Sequence, residues 1–301
     1  MNLKKNLIYF FVFLSFLFIT SRIYYRATDD FRLGNIKYEL PFNPKWEVDL
    51  PDRQKLKTIF SQNFFYLGKG AQSYAFVSED QKYVVKFFKF KHLKNNIFSN
   101  LIPPVYPFKD YKEKQSLRKK RKLNSVFEGY HLAYLFHRSD SGLIYIHLNQ
   151  TDYLNLNVNI KDKIGFERNI ALDDVVFILQ EKAKTTKNAL CDNLEKGNLS
   201  EVKQKIRRIF DLYLTEYSKG LYDQDHGVLS NTGFVGEKAI HLDTGKLIKN
   251  EEVKQKTFWQ NDLKKVATKF EHWIKINYPE YYPDLAEEIA SNLNDLNERV
   301  L

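Results

Sequence analysis

Residues 7–20, "LIYFFVFLSFLFIT", carry no charge and twelve large aliphatic or aromatic side chains in fourteen positions, and no water-facing surface of a folded domain tolerates such a run. As a helix it spans roughly 21 Å, short of the hydrocarbon core of about 30 Å, and it reaches across if Lys5 and Arg22 extend their charges to the interfaces. A secretory signal has the same layout, but no small-x-small cleavage site follows, and Ile23, Tyr24 and Tyr25 are bulky. The sequence therefore predicts an uncleaved membrane anchor over residues 1–26. Lys4 and Lys5 before the run are matched by Arg22 and Arg26 after it, so counting positive charges does not orient it.

Residues 27–57, with Pro41, Pro44 and Pro51 among polar side chains, read as a linker from anchor to domain. The remainder of the 301-residue chain is long enough for one large domain or two lobes. Its single cysteine, Cys191, excludes an internal disulfide framework and any multi-cysteine zinc site. The net charge of +10 favours anionic neighbours. Much of it sits in "KEKQSLRKKRK", Lys112 to Lys122, which reads as a solvated helix face and as a possible grip on an anionic substrate or lipid surface. No clear nucleic-acid motif accompanies the charge.

"FFYLGKGAQSYAFVSEDQKYVVKFFKF", residues 64–90, predicts three antiparallel strands parted by turns. The first turn contains Gly68 and Gly70, with Ser73 at the place of a third glycine, and the third strand carries Lys86. Missing side chains let backbone amides approach a phosphate, and a strand lysine beneath such a turn can neutralise its oxygens. Downstream, "SVFEGYHLAYLF" has helical apolar spacing, "SGLIYIHL" and "DVVFILQEKAK" read as strands, and Ser200 to Lys219 reads as an amphipathic helix capped by Ser200. Then "DQDHGVLSNTGF", residues 223–234, crowds two acids, a histidine and an asparagine onto a loop, ahead of two short strands and "LDTG" at Leu242 to Gly245.

In this order the elements resemble the protein-kinase-like superfamily, over roughly Phe64 to Trp273. The resemblance implies an α+β, bilobal protein-kinase-like fold: a small antiparallel-sheet N-lobe over residues 58–183 and a mostly helical C-lobe over 184–301, behind the N-terminal transmembrane helix. It implies ATP and Mg²⁺ as cofactors, with Gly68, Gly70 and Ser73 over the phosphates and Lys86 on them. Glu128 is the counterpart of the helix-borne glutamate that pairs with that lysine, and Glu113 is its rival, because an insertion including "LIPPVYPF" lengthens the separation. Asn231 and the Asp243 of "LDTG", similar to the family's D-F-G, become the metal ligands.

The catalytic aspartate departs from the family pattern. Its place, five residues before Asn231, holds His226, so Asp225 takes the role if the loop has one extra residue, with Asp223 as the other candidate. No long activation segment follows Asp243. A short C-lobe of this kind resembles small-molecule or lipopolysaccharide-core kinases, in which Asp262 is the counterpart of an aspartate that braces the catalytic loop, an ordinary helix N-cap being the other reading. The expectation is a membrane-anchored, ATP-dependent phosphotransferase whose domain lies on an ATP-containing side, with acceptor undefined. The alternative is a pseudokinase that binds nucleotide or a partner without transfer. "DTG" also occurs in aspartic proteases, but that chemistry couples two carboxylates and one copy is present.

Overall fold

The structure, a computed structural model, describes residues 3–93 and 108–297. Most of the "LIPPVYPF" insert and the last residues of the closing helix expected over 283–300 fall outside the described residues. The chain is α+β and divides into two compact units, Met1–Leu101 with His147–Ile178, and Ile102–Ile146 with Leu179–Leu301.

The first unit opens with helix α1 (Leu3–Ala27). Within it Lys5–Ala27 is long and apolar enough to cross a membrane, and none of that span is buried in protein. The stretch expected to be a bare linker is instead structured and packed. It contains α2 (Leu33–Ile36), a 3₁₀ turn at Pro44–Trp46 and α3 (Arg53–Phe60), whose N-cap Asp52 accepts from the Gln54 amide. Phe31 and Ile36 are fully buried, with the Phe31 ring edge-on to Tyr74 and Phe76 at 5.2 and 5.1 Å. Asp30 pairs with Lys91, and its carbonyl accepts from the Tyr74 hydroxyl at 2.7 Å. Apolar residues scattered among prolines find partners only once the sheet exists, which is why their composition alone reads as linker.

The three strands expected from residues 64–90 are β1 (Asn63–Lys69), β2 (Ser73–Ser78) and β3 (Tyr83–Phe88), paired antiparallel. The chain re-enters this unit through β4 (Leu143–His147), builds the hairpin β5 (Asn157–Lys161) and β6 (Glu167–Ala171), and leaves through β7 (Phe177–Glu181). β5 lies parallel to β1 and antiparallel to β6, extending the sheet in the order β3-β2-β1-β5-β6. β4 and β7 match the two runs read as strands. The β5–β6 hairpin was missed although "NVNIK" alternates strictly, with Val158 and Ile160 buried, because that alternation runs over only five residues.

The second unit begins with one 29-residue helix, α4 (Phe108–Phe136), followed by the short α5 (Arg138–Ser141). The basic run lies on the first half of α4, where Arg118 to Lys122 are exposed, as a solvated face requires. After β8 (Lys184–Thr185) and α6 (Thr186–Leu194) comes α7 (Leu199–Ser218), whose cap is Asn198, accepting from the Glu201 amide, and not Ser200. The α7 stripe Val202, Ile206, Ile209, Phe210 and Tyr213 forms the core of the unit. Against it pack Leu263, Val266, Phe270 and Ile274 of α9 (Lys256–Asn277) and Leu285 and Ile289 of α10 (Tyr282–Asn297).

Between α7 and α9 the chain runs through β9 (Leu221–Asp223), the single turn α8 (Val228–Asn231), the hairpin β10 (Thr232–Val235) and β11 (Lys238–His241), and β12 (Leu247–Lys249). β10–β11 is the hairpin read from "TGFVGEKAIHL", turning at Gly236 with φ +57°. β12 pairs antiparallel with β9, Leu247 opposite Asp223, and so closes the acidic loop back onto its own start.

Candidate active site

In the first unit, β1 bulges between Tyr66 and Gly68, and the turn that follows is closed by the Gly70 amide donating to the Ser73 carbonyl at 2.9 Å. Lys89 clamps the same turn, its Nζ donating to the Gly70 carbonyl at 2.6 Å and lying 4.3 Å from the Tyr74 ring centroid. Burial, then the charges of Lys69 and Lys91, bring the Lys89 ammonium down to about 8. Lys86 sits on β3 opposite Ala75 of β2, half-buried. Gly68, Gly70, Ser73 and Lys86 thus occupy one contiguous piece of the sheet, and a Cβ at Gly68 would meet open space.

The acidic loop belongs to the second unit, with Glu128, Asp225, Asn231 and Asp243. The Asn231 carbonyl accepts from the Leu242 amide at 2.7 Å and the Asp243 amide at 3.3 Å, so the end of α8 and the "LDTG" segment lie side by side. Asp243 is exposed. Its Oδ1 accepts from the Gly245 amide and the Tyr130 hydroxyl, each at 3.1 Å. Asn231 is half-buried, its Oδ1 accepting from Ser230 at 3.1 Å. A Cβ on Gly227 would lie 2.7 Å from the Asn231 side-chain nitrogen Nδ2, so any larger residue there would make the Asn231 side chain shift.

Helix α4 supplies the adjoining wall. A Cβ on Gly129 would stand 2.4 Å from the Thr244 carbonyl oxygen, placing the helix backbone directly on the Asp243 loop. Glu128 is the preceding residue and is half-buried, whereas Glu113 lies about four helical turns away on the exposed stretch. Tyr130 is fully inside, and burial followed by the Asp243 charge pushes its hydroxyl well up, keeping it a donor.

The three acid–base candidates on the loop differ in setting. Asp225 is exposed, and its amide donates to Asp223 Oδ1 at 2.9 Å. Asp223 is 1% exposed, and its Oδ2 has no hydrogen-bond partner among the described residues. Burial pushes the Asp223 carboxyl up to about 7, against the pull of the Asp225 amide and His226, with the like charges of Asp225 and Asp243 adding to the rise. His226 is tied down: its Nε2 meets Asp262 Oδ2 at 2.6 Å, and its ring stacks on Tyr213 at 6.4 Å.

Asp262 lies inside α9, whose N-cap position is Gln255, so the N-cap reading of Asp262 is corrected. It also accepts from Tyr217 at 2.7 Å and from Lys265 at 3.1 Å. Burial raises its carboxyl, but the bonds from His226, Tyr217 and Lys265 outweigh burial and hold it below the usual carboxylate range. Asp262 therefore braces the loop through His226 and, from Tyr222, a weaker contact at 3.4 Å.

Below the loop lies a group the sequence reading missed. Glu216 of α7, His241 at the end of β11 and His137 after α4 are all buried, and one ligand-capable atom of each lies within 4.8 Å of the others. Glu216 Oε1 accepts from the Asp223 amide at 2.6 Å, which joins this cluster to the start of the acidic loop. The three are distant in sequence and no local motif marks any of them, so only the packing of α4, α7 and β11 reveals them.

No protein-family model matches the chain, and no curated protein matches it. Among solved structures, WbdD in a co-crystal with the kinase inhibitor LY294002 aligns with 75% of this chain at 12% identity and a TM-score of 0.35. A second WbdD structure, at 2.2 Å, aligns with 74% at 12% identity and a TM-score of 0.34. The chain spans 44% of the length of either WbdD chain, and no conclusion about fold or activity rests on a likeness of that level.

Proposed function

We propose that this chain is an ATP-dependent phosphotransferase of kinase-like type, held at a membrane as a single-pass protein by α1, with its domain on an ATP-containing side. The observation that carries the reading is the pairing of Asn231 with Asp243 through the Asn231 carbonyl, on a loop that also presents exposed Asp225. Two oxygen donors from adjacent segments suit a hard cation that keeps waters and takes its remaining ligands from phosphates, and the exposed carboxylate of Asp243 fits Mg²⁺. Bound Mg²⁺ would neutralise charge on the transferring phosphoryl group.

The chain's own residues supply positioning and charge. Lys86, as a point charge, and the Gly68–Ser73 backbone are the proposed phosphate contacts, with Glu128 the proposed counterpart of the family's helix-borne glutamate. Asp225 accepts or orients the proton of the acceptor hydroxyl. Asp223, with a carboxyl near 7 and its Oδ1 on the Asp225 amide, fixes the backbone that presents Asp225. An acceptor of anionic character fits the exposed Lys114 and Arg118 to Lys122, which equally suit a lipid surface.

The test uses the full chain in detergent and measures Mg²⁺-dependent ATP consumption beside Asp243→Ala and Asp225→Ala. Loss of a metal ligand or of the acceptor-facing carboxylate costs on the order of 100-fold or more in rate. Equal rates for the three proteins defeat the enzyme reading. One observation favours a second reading: His226, not an aspartate, stands five residues before Asn231 and is locked to Asp262. A pseudokinase would then bind Mg²⁺–ATP, with a rise in melting temperature that Asp243→Ala abolishes, and form no ADP.

A further inference from the structure

His137, Glu216 and His241 converge in the interior of the second unit from the end of α4, from α7 and from β11. All three are at most 1% exposed. His137 Nε2, His241 Nε2 and Glu216 Oε2 have no hydrogen-bond partner among the described residues. His241 Nε2 approaches Glu216 Oε2 to 3.1 Å, outside the angular range of a hydrogen bond. Three buried, unsatisfied polar atoms aimed at one another are costly unless something lies between them, since each has given up water without replacement.

We propose that these three side chains form a structural site for one divalent transition-metal cation, zinc being the natural occupant, beneath the acidic loop. Two imidazoles and one carboxylate are a donor set that borderline cations favour over Mg²⁺ or Ca²⁺, which take oxygen. Around an ion with bonds of about 2.1 Å, tetrahedral ligand atoms lie about 3.4 Å apart. The His241–Glu216 edge, at 3.1 Å, is already at that spacing, and the remaining edges, within 4.8 Å, close by side-chain rotation.

The surroundings fit a ligand shell. The other oxygen of Glu216 is fixed by the Asp223 amide, so the carboxylate is oriented by the loop it supports. His137 Nδ1 lies 3.7 Å from Asp140 Oδ2, beyond hydrogen-bond reach here, and a small ring rotation would let a metal-bound imidazole hold its second ring N–H on that carboxylate. Lys219 Nζ lies 3.2 Å from the same Nδ1 and 2.7 Å from Asp140, so a metal at Nε2 leaves Lys219 on Asp140 alone. The alternative needs no ion: Lys219 donates to Nδ1, and His137 keeps its proton on Nε2, directed at Glu216.

The cation ties helix α7, strand β11 and the end of α4 into one unit, and through Glu216 and the Asp223 amide it sets the start of the loop that carries Asp225. It is separate from the Asn231–Asp243 pair and does not depend on the phosphotransferase reading. The full chain, purified in detergent without a polyhistidine tag, is analysed for metal by mass spectrometry, stripped with chelator, and melted with added Zn²⁺, Co²⁺ or Mg²⁺. The expected result is about one zinc per chain, a melting temperature raised on the order of 5 °C by Zn²⁺ but not by Mg²⁺, and visible absorption bands of low-symmetry Co²⁺.

His241→Gln and Glu216→Gln abolish the cobalt bands, and Asp243→Ala retains them. If the glutamine variants do not fold, the wild-type titration stands by itself, because it needs no substitution. Wild type that binds neither Zn²⁺ nor Co²⁺ and melts alike with and without chelator overturns the proposal in favour of the proton-bridged arrangement. Loss of the bands in Asp243→Ala overturns the ligand assignment.

Discussion

The approach of α4 to the Asp243 loop is the feature of the second unit most open to a single-atom test. Gly129→Ala adds one methyl group 2.4 Å from the Thr244 carbonyl oxygen, 2.9 Å from the Gly245 carbonyl carbon and 3.2 Å from its Cα. A carbon–oxygen contact relaxes at about 3.3 Å, so helix or loop must retreat by roughly 1 Å, and the clashing atoms are backbone, which cannot rotate aside. Overpacking of this kind costs about 1 to 3 kcal/mol, and replacing glycine by alanine within a helix returns about 1 kcal/mol. The net expectation is a loss of up to about 2 kcal/mol, or a melting point lower by up to about 6 °C. The same shift moves Asp243, which a 1 Å displacement would penalise by about 100-fold in any reaction that depends on its position. Thermal and urea unfolding check the first figure, with Ser125→Ala on an exposed face of the same helix as control. If Gly129→Ala gains the full helix-propensity benefit and Asp243-dependent activity or nucleotide response is unchanged, the close approach does not exist and the reasoning fails.

Asp262→Asn removes the charge and one of the two oxygens that accept from His226, Tyr217 and Lys265, and is expected to cost about 2 to 4 kcal/mol at neutral pH by equilibrium unfolding. Because the folded carboxyl lies below its unfolded value, that contribution is fully present above about pH 4 and disappears as pH falls through the folded pKa, so the two stability curves converge in acid. A gap that widened below pH 4 would contradict this assignment. Removing residues 1–22 should move the protein from the membrane pellet to the soluble fraction while leaving its melting point within about 2 °C, because Asp30, Phe31 and Ile36 remain. Removing residues 1–44 should lower stability by several kcal/mol, since it strips the fully buried apolar side chains Phe31 and Ile36 and leaves Lys91 without its carboxylate; equal melting points for the two truncations would show that the segment is a mere tether. Gly220→Ala meets a backbone at φ +68° and the Glu251 carboxylate at 2.7 Å, and should cost about 1 to 2 kcal/mol in unfolding free energy; no loss would place that turn elsewhere.

Local chemistry made part of this molecule legible. The apolar helix at the N-terminus, the three antiparallel strands around Gly68 and Lys86, the amphipathic α7 and the β10–β11 hairpin each follow from periodicity and turn residues confined to a few neighbours, and each is present. Asn231 and Asp243 are separated by one short hairpin, a short-range connection, and the Asn231 carbonyl accepts from the Asp243 amide. What the sequence could not decide were matters of distant partnership. Phe31 and Ile36 sit among prolines and polar residues, and only the sheet reveals them as core. Asp262 looked equally like a cap or a brace until α9 was seen to begin before it and to turn it toward His226. His137, Glu216 and His241 are unremarkable along the chain because burial, the property that makes them matter, belongs to the packed helices and not to any one segment. Hydrophobic period and turn chemistry act between near neighbours and are written in order along the chain. The desolvation and convergence that turn ordinary polar side chains into a site arise only when elements far apart in sequence exclude water together.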